Sequence, residues 1–488
     1  MKLFPKLSKS LQSLQNFSCL RKSSSVSSEL PSEASPLLQK AASSPGDYLP
    51  ASPTKPKHKI GYTYDQRMLL SKSTYPIHEE SPERILFPYA HLFRKRLLQN
   101  STHIPSFPVS EQDILTCHTN QHLDFVKKLC FMDHQYQYPE ENVPDYLKQE
   151  GTKFNRYLKL NEREDMWIHY QLRSQQNKFG IFLTDLNFQN RYHYLAALVA
   201  AGSTVAGTKA VLNGDVEQAF LLQRPPSHHA EANRIGGYCY FNNQGIAAKY
   251  AQNHLGAERV LILDIDAHHG NGIQDIFYRD PSVFYMSVLR FEKGNFYPHV
   301  PAASQYHYGA SPGEFFNLNI PWNSNKPHTT RIPITDGDML YAFHHLIVPI
   351  AQSFKPDLIL LATGYDPLIG DPIGMLSLSP FSFYHITKVL RDTVSKNLVV
   401  GLEGGYHYRN LEIGSQNTMK ALLGKPFRGT VNDQSVNESI FRDLKVNTST
   451  KKMVEEITTI FKGAWPILNE QLPDNENFWM HLMEEVDE

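Results

Sequence analysis

Short, almost wholly apolar runs that alternate with longer amphipathic stretches restrict this chain to few architectures. Val260-Leu261-Ile262-Leu263, Leu358-Ile359-Leu360-Leu361 and Leu398 to Leu402 are such runs, and Ile60 to Asp65 and Val283 to Val288 read as further strands. Tyr192 to Val211, Ile246 to Asn253, Tyr341 to Phe354 and Phe383 to Val394 carry helical spacing, and Lys451 to Ile467 reads as a last helix. Strands apolar on both sides must be covered on both sides, and intervening helices supply the crossovers that parallel pairing requires. The expected fold is α/β, a single large domain with a mainly parallel central sheet covered by helices on both faces. Ligands in such folds sit beyond the carboxyl ends of the strands.

What stands at those ends is chemically unusual. Asp264-Ile265-Asp266-Ala267-His268-His269-Gly270-Asn271-Gly272 follows one run, Gly364-Tyr365-Asp366 another, and Glu403-Gly404-Gly405-Tyr406 a third. Ahead of them, Arg224-Pro225-Pro226-Ser227-His228-His229-Ala230 leads through Gly236-Gly237-Tyr238 to Asn242-Asn243. A lone Asp or His at a strand end is usually a cap or a satisfied core group, but two His pairs and several carboxylates between Arg224 and Gln274 ask for more than that. Asp266, His268 and Asp366 make a candidate N/O set for a divalent metal, and three protein ligands leave a position for water and substrate, as in catalytic zinc sites. His228 and His229 are the candidate acid/base pair, since water polarised by such an ion reaches a pKa near 7. Asp264 and Asn271 are candidate orienting partners; the carboxylate would favour a protonated ring, the amide less so. Gly236 and Gly237 let backbone approach a substrate closely, and the phenol of Tyr406 can donate to the oxyanion of a tetrahedral intermediate. Together these residues suggest metal-assisted hydrolysis of an amide.

The rest of the chain narrows the setting. A net charge of −1 over 488 residues gives no global basic field, so no direct nucleic-acid binding is expected. Cys19, Cys117, Cys130 and Cys239 are scattered, which argues against a disulfide framework and for a reducing compartment. No apolar run approaches the roughly 18–20 residues that cross a bilayer, so no membrane span is expected. Residues 1–57 are rich in Ser, Pro and Lys, with no acidic residue before Glu29, and read as a disordered tail or an organelle transit peptide. Residues 58–475 form the expected domain, with an insertion or long loop at about 130–165, and residues 476–488 are an acidic end. Glu80-Ser81-Pro82-Glu83-Arg84-Ile85 reads as a capped helix start.

In order and spacing, these motifs resemble the zinc-dependent histone deacetylase superfamily, which includes acetylpolyamine amidohydrolases and bacterial deacetylases. Arg224-Pro225-Pro226 and Asn242-Asn243 are most similar to its class II branch, and the resemblance runs from about residue 59 to the C-terminal region. It implies an arginase/deacetylase-like fold, one Zn2+ on Asp266, His268 and Asp366, and His228 and His229 as the acid/base pair backed by Asp264 and Asn271. Tyr406 would polarise the acyl carbonyl. A structural K+ is implied on Asp264, Asp266, His268, Ser287 and Val288, largely through carbonyl oxygens.

By the same resemblance Asp185 would grip substrate backbone, Tyr238 and Tyr297 would wall the tunnel around an acyl-lysine stem, and Gly237 would offer its carbonyl to the substrate amide. Ile373 and Gly405 would complete the substrate contacts. Tyr238 and Tyr297 stand where tunnel phenylalanines are usual, Glu231 follows the His pair and Pro367 follows Asp366; these departures bear on acyl preference and rim shape. The implied function is hydrolysis of N-acetyl-lysine in acetylated proteins, histone tails among them, in the nucleus or cytoplasm. Two other readings stand beside it. An acetylpolyamine amidohydrolase would need carboxylates at the mouth, such as Asp185 and Glu231, and a non-catalytic acetyl-lysine-binding scaffold would not need the full set of ligands, His pair and Tyr406.

Overall fold

The computed structural model describes residues 59–71, 78–131, 191–323, 333–427 and 444–470. The N-terminal tail, nearly all of the 130–165 insertion, Asp185 and the acidic end lie outside the described residues. The strands are β1 (Ile60–Tyr64), β2 (Ser101–His103), β3 (Gln218–Leu222), β4 (Val260–Asp264), β5 (Val283–Arg290), β6 (Asn317–Trp322), β7 (Leu358–Thr363) and β8 (Leu398–Leu402). They form one sheet in the order β2-β1-β3-β8-β7-β4-β5-β6, and every pair is parallel.

The apolar runs are buried on both sides because alternate residues enter different cores. Leu261, Leu263, Ile359, Leu361 and Val400 pack into one, while Val260, Ile262, Leu358, Leu360 and Val399 pack into the other. Truncating any one of these leucines or isoleucines to Ala should cost about 2–5 kcal/mol, the transfer term plus the cavity left behind.

The elements the sequence does not announce are the edges. β2 is only Ser-Thr-His, and β6 carries Asn317, Asn319 and Pro321. The proline is tolerated because an edge strand pairs on one side only, and the two buried asparagines because their amides donate to Gln274 Oε1 and to the carbonyls of His307 and Ala302. β3 ends at Leu222, two residues before the Arg224-Pro225-Pro226 stretch that leads to the His pair.

Several helices depart from expectation at their ends. The stretch read from Tyr341 begins earlier, as Asp336–Ala342, and passes through a π-turn at Phe343–Ile347 before Val348–Phe354. The last helix is Thr448–Phe461, followed past Gly463 by a separate 3-10 turn, Pro466–Asn469. The helix Glu83–Arg94 lacks the expected side-chain cap: Pro82 occupies the cap position, and the Ser81 hydroxyl pairs instead with Tyr408 Oη at 3.0 Å.

The helix Tyr192–Leu212 is long and apolar enough to cross a membrane by length and composition, a feature the apolar-run reading overlooks. It is largely buried in the fold, with Val199, Ala200, Ala201 and Val205 inaccessible, which is the pattern of a core helix. Cys117, Cys130 and Cys239 are buried free thiols.

Candidate active site

β3, β8, β7 and β4 are consecutive in the sheet, so the loops that leave their carboxyl ends meet at one rim. Asp266 and His268 come from the loop after β4, and Asp366 from the loop after β7. Each offers one ligand atom, and the three atoms lie within 4.8 Å of one another in a buried setting. His268 Nδ1 is 3.0 Å from both Asp266 Oδ1 and Asp366 Oδ2. Room for this convergence depends on glycine: a Cβ on Gly404 would come within 2.5 Å of Oδ2 of both aspartates.

Electrostatics say the same thing about the cluster. Without a cation, burial and the neighbouring Asp266 carboxylate push the Asp366 carboxyl up to about 7. Burial would lower the His268 imidazole, but the two carboxylates outweigh it and lift it to about 9. Two carboxylates and an imidazole with a shared focus fit a small divalent ion that prefers N/O ligands.

The histidine pair faces this triad and is split by its partners. His228 Nδ1 lies 3.0 Å from Asp264 Oδ2, and His229 Nδ1 lies 2.8 Å from Asn271 Oδ1. Burial opposes protonation of His228, but Asp266 and Asp264 overcome it and lift the ring to about 10. Burial and the positive neighbours His228 and His268 hold His229 well below its ordinary value. The Asn271 amide is itself oriented, because its Nδ2 donates to Glu231 Oε1 at 2.7 Å. Its oxygen is thereby turned to His229, which donates from Nδ1 and keeps Nε2 as an acceptor. The unusual Glu231 is therefore tied inward to Asn271, with Arg234 3.6 Å away on its other side.

Aromatic rings stand around these groups. Tyr297 packs edge-on to His229, with ring centres 4.9 Å apart, and Phe296 stacks on His268 at 4.9 Å. Tyr238 packs edge-on to Tyr406 at 5.9 Å. Gly237 adopts φ +51°, and a Cβ there would meet His229 Cδ2 at 2.0 Å, so only glycine permits this passage. Tyr238 also has positive φ, an uncommon backbone state for a bulky residue. Burial pushes the Tyr406 phenol well above its ordinary value, so it stays protonated. Ser287 is the register partner of Asp264 across β4 and β5. Ile373 lies in the loop after β7, its N–H donating to Asp371 Oδ1 at 2.9 Å.

Several contacts behind the site escape the motif reading. Arg224 grips Glu80 with two hydrogen bonds, 2.8 and 2.6 Å, and Arg84 reaches the same carboxylate at 3.2 Å. Arg84 also donates to Gly405 O at 2.8 Å and to Glu403 O. Asp371 Oδ2 accepts from the N–H groups of Tyr406 and His407 at 2.8 and 3.1 Å, so one carboxylate ties the Tyr406 loop to the Ile373 loop. Gly370-Asp371-Pro372, five residues past Asp366, is the signal that could have found it.

The fold and the site together define a family, and the chain belongs to it: the description "Histone deacetylase domain" matches residues 78–422. Among curated relatives, Polyamine deacetylase HDAC10 of Danio rerio is 34% identical over 347 residues, covering 71% of this chain and 44% of that protein. Histone deacetylase HDA1 of Candida albicans is 31% identical over 403 residues, 78% of this chain and 43% of the relative. The chain thus spans less than half the length of either relative. Among solved structures, the crystal structure of the HDA15 HD domain superposes with a TM-score of 0.66 at 28% identity, covering 84% of this chain and 98% of the other.

Proposed function

We propose that this chain is a zinc-dependent protein lysine deacetylase that hydrolyses the acetamide of N-acetyl-lysine in acetylated proteins, histone tails among them, in the nucleus or cytoplasm. The observation that carries the reading is the meeting of the Asp266–His268–Asp366 donor set with a split histidine pair at one rim. Those three residues would hold the zinc ion, which when bound supplies Lewis-acid polarisation of the acyl carbonyl and of the attacking water. Asp264, Asp266, His268, Ser287 and Val288 would hold a potassium ion behind it.

The remaining chemistry belongs to side chains. His229, kept neutral with Nε2 free to accept, would take the proton of the attacking water. His228, held protonated by Asp266 and Asp264, would stabilise the developing charge and supply a proton for the departing lysine amine. Tyr406, protonated and fixed through its backbone to Asp371, would donate to the oxyanion. Tyr238 and Tyr297 would flank the acyl-lysine stem, and Gly237, Ile373 and Gly405 would line its approach.

A second reading, acetylpolyamine hydrolysis, is favoured by the relatives named polyamine deacetylases in Danio rerio and Mus musculus. Its cationic substrate would need carboxylates at the mouth. Among the described residues, Glu231 is engaged by Asn271 and Arg234, and the rings packed against the histidines and Tyr406 are Tyr238, Phe296 and Tyr297. That lining suits a neutral aliphatic stem better.

The test is acetate release from an acetyl-lysine histone peptide and from an acetylated polyamine, in parallel, with and without zinc. Peptide turnover lost in Tyr406→Phe protein of unchanged zinc content is the expected result. Turnover of the polyamine alone would move the enzyme to the small-molecule reading, and no turnover of either would overturn both.

A further inference from the structure

Glu403 is fully buried at the end of β8, a place where a carboxylate is costly unless its oxygens are satisfied. They are. Oε2 accepts from Ser227 N at 2.6 Å and His228 N at 3.2 Å, and Oε1 accepts from Ser227 Oγ at 2.6 Å and Gln244 Nε2 at 3.1 Å. Three of the four donors belong to the turn that carries the histidine pair.

The backbone that bears this carboxylate is itself pinned, residue by residue, to the rest of the site. Glu403 N donates to Thr363 O at 2.9 Å at the end of β7. Gly404 N donates to Asp266 Oδ2 at 2.7 Å, Gly405 O accepts from Arg84 at 2.8 Å, and Tyr406 N donates to Asp371 at 2.8 Å. The His228 turn is held from its other side by Gly272 N, which donates to His228 O at 3.0 Å. A side chain on the pinned strand end thus sets where the His turn sits relative to Tyr406 and Asp266.

We propose that Glu403 is a positioning residue, whose carboxylate clamps the Ser227–His228 turn in register with the Gly404–Tyr406 strand end. The inference rests on the deacetylase reading for its kinetic arm only.

Shape, rather than charge, is the property this role requires. In Glu403→Gln the side-chain oxygen can keep both backbone N–H groups, while the amide nitrogen donates to Ser227 Oγ and to Gln244 Oε1. That last atom is buried with no partner among the described residues, so turning the Gln244 amide satisfies it. Glu403→Asp keeps the charge but withdraws it by about 1.5 Å, one C–C bond, beyond hydrogen-bond reach of the turn.

The experiment compares Asp, Gln and Ala at position 403 in the zinc-loaded full chain. Expected are a fall in kcat of about 10- to 100-fold for Asp and Ala with little change in KM, and recovery of most of it by Gln. Amide hydrogen exchange at Ser227 and His228 should accelerate in Asp and Ala but not in Gln, with zinc content unchanged throughout. Wild-type exchange at those two amides in the Asp variant would overturn the proposal, as would a Gln variant as slow as Ala. If Ala does not fold, the Asp and Gln pair decides. Wild-type protein that turns over no acetylated substrate would sink the deacetylase reading instead, and the exchange measurement would still judge the clamp.

Discussion

The guanidinium carbon of Arg84 lies 5.0 Å from the centre of the Tyr406 ring. Arg84 is wholly buried, shares Glu80 with Arg224, and holds the carbonyls of Glu403 and Gly405 on either side of Gly404. It therefore fixes the loop and places a permanent cation against the phenol. Arg84→Met fills similar space but leaves two buried carbonyls without a donor. Breaking such a buried network should cost about 3–5 kcal/mol of stability. Denaturant unfolding should register this loss, and kcat should fall at least about tenfold from misplacement of Tyr406. A variant as stable as wild type would contradict this account.

Zinc should stabilise the fold as well as support turnover. Its candidate ligands come from two loops, after β4 and after β7, so an ion binding them ties those loops together only in the native state. A ligand at 100 times its dissociation constant stabilises by about 2.7 kcal/mol. Thermal unfolding with and without a chelator should show a clear rise in Tm on adding zinc, and Asp366→Ala should abolish that rise. An equal response in the Ala variant would place the ion elsewhere.

Asn271 should matter through His229. Its amide fixes which nitrogen of His229 carries the proton, and Glu231 fixes the amide. Asn271→Ala frees the ring to adopt the other tautomer and leaves Glu231 without one of its partners. A loss in kcat of about 10-fold or more with zinc content intact is expected. Glu231→Ala should show a smaller loss in the same direction. Full activity in Asn271→Ala would remove the orienting role.

The donor triad, the His pair and Tyr406 are legible in the sequence because each follows an apolar run within a few residues, and parallel sheets gather such positions at one rim. Which histidine pairs with Asp264 and which with Asn271 is not legible, because it depends on how the β3 and β4 loops cross. Arg84 is harder still. It sits in an amphipathic helix where an arginine ordinarily faces solvent, and its partner Gly405 is 321 residues away. Glu403 stands in plain view beside Gly404-Gly405, but its role needs the distance to Ser227, which no spacing rule supplies. The edge strands hide for a different reason: β2 is only three residues, and β6 interrupts Leu318, Ile320 and Trp322 with two asparagines and a proline.

Asp336 offers a pH test at a carboxyl that is not among the candidate metal ligands. It opens the helix Asp336–Ala342, is buried, and accepts from Ser379 N at 3.0 Å and from Ser382 Oγ, both through Oδ1. Oδ2 is buried with no hydrogen-bond partner among the described residues. Burial outweighs the serine hydrogen bonds and pushes the carboxyl up from 3.8 to about 6. The folded chain therefore holds this proton more tightly than the unfolded chain does. Its stabilising contribution is complete below about pH 3.8 and is lost as pH rises through about 6. A shift of about two units corresponds to something on the order of 3 kcal/mol. Asp336→Asn cannot ionise, so its stability relative to wild type should climb by up to that amount between about pH 4 and pH 7. Urea unfolding of both proteins across that range measures the difference, and one that stays flat with pH would show that Asp336 is ionised at no cost.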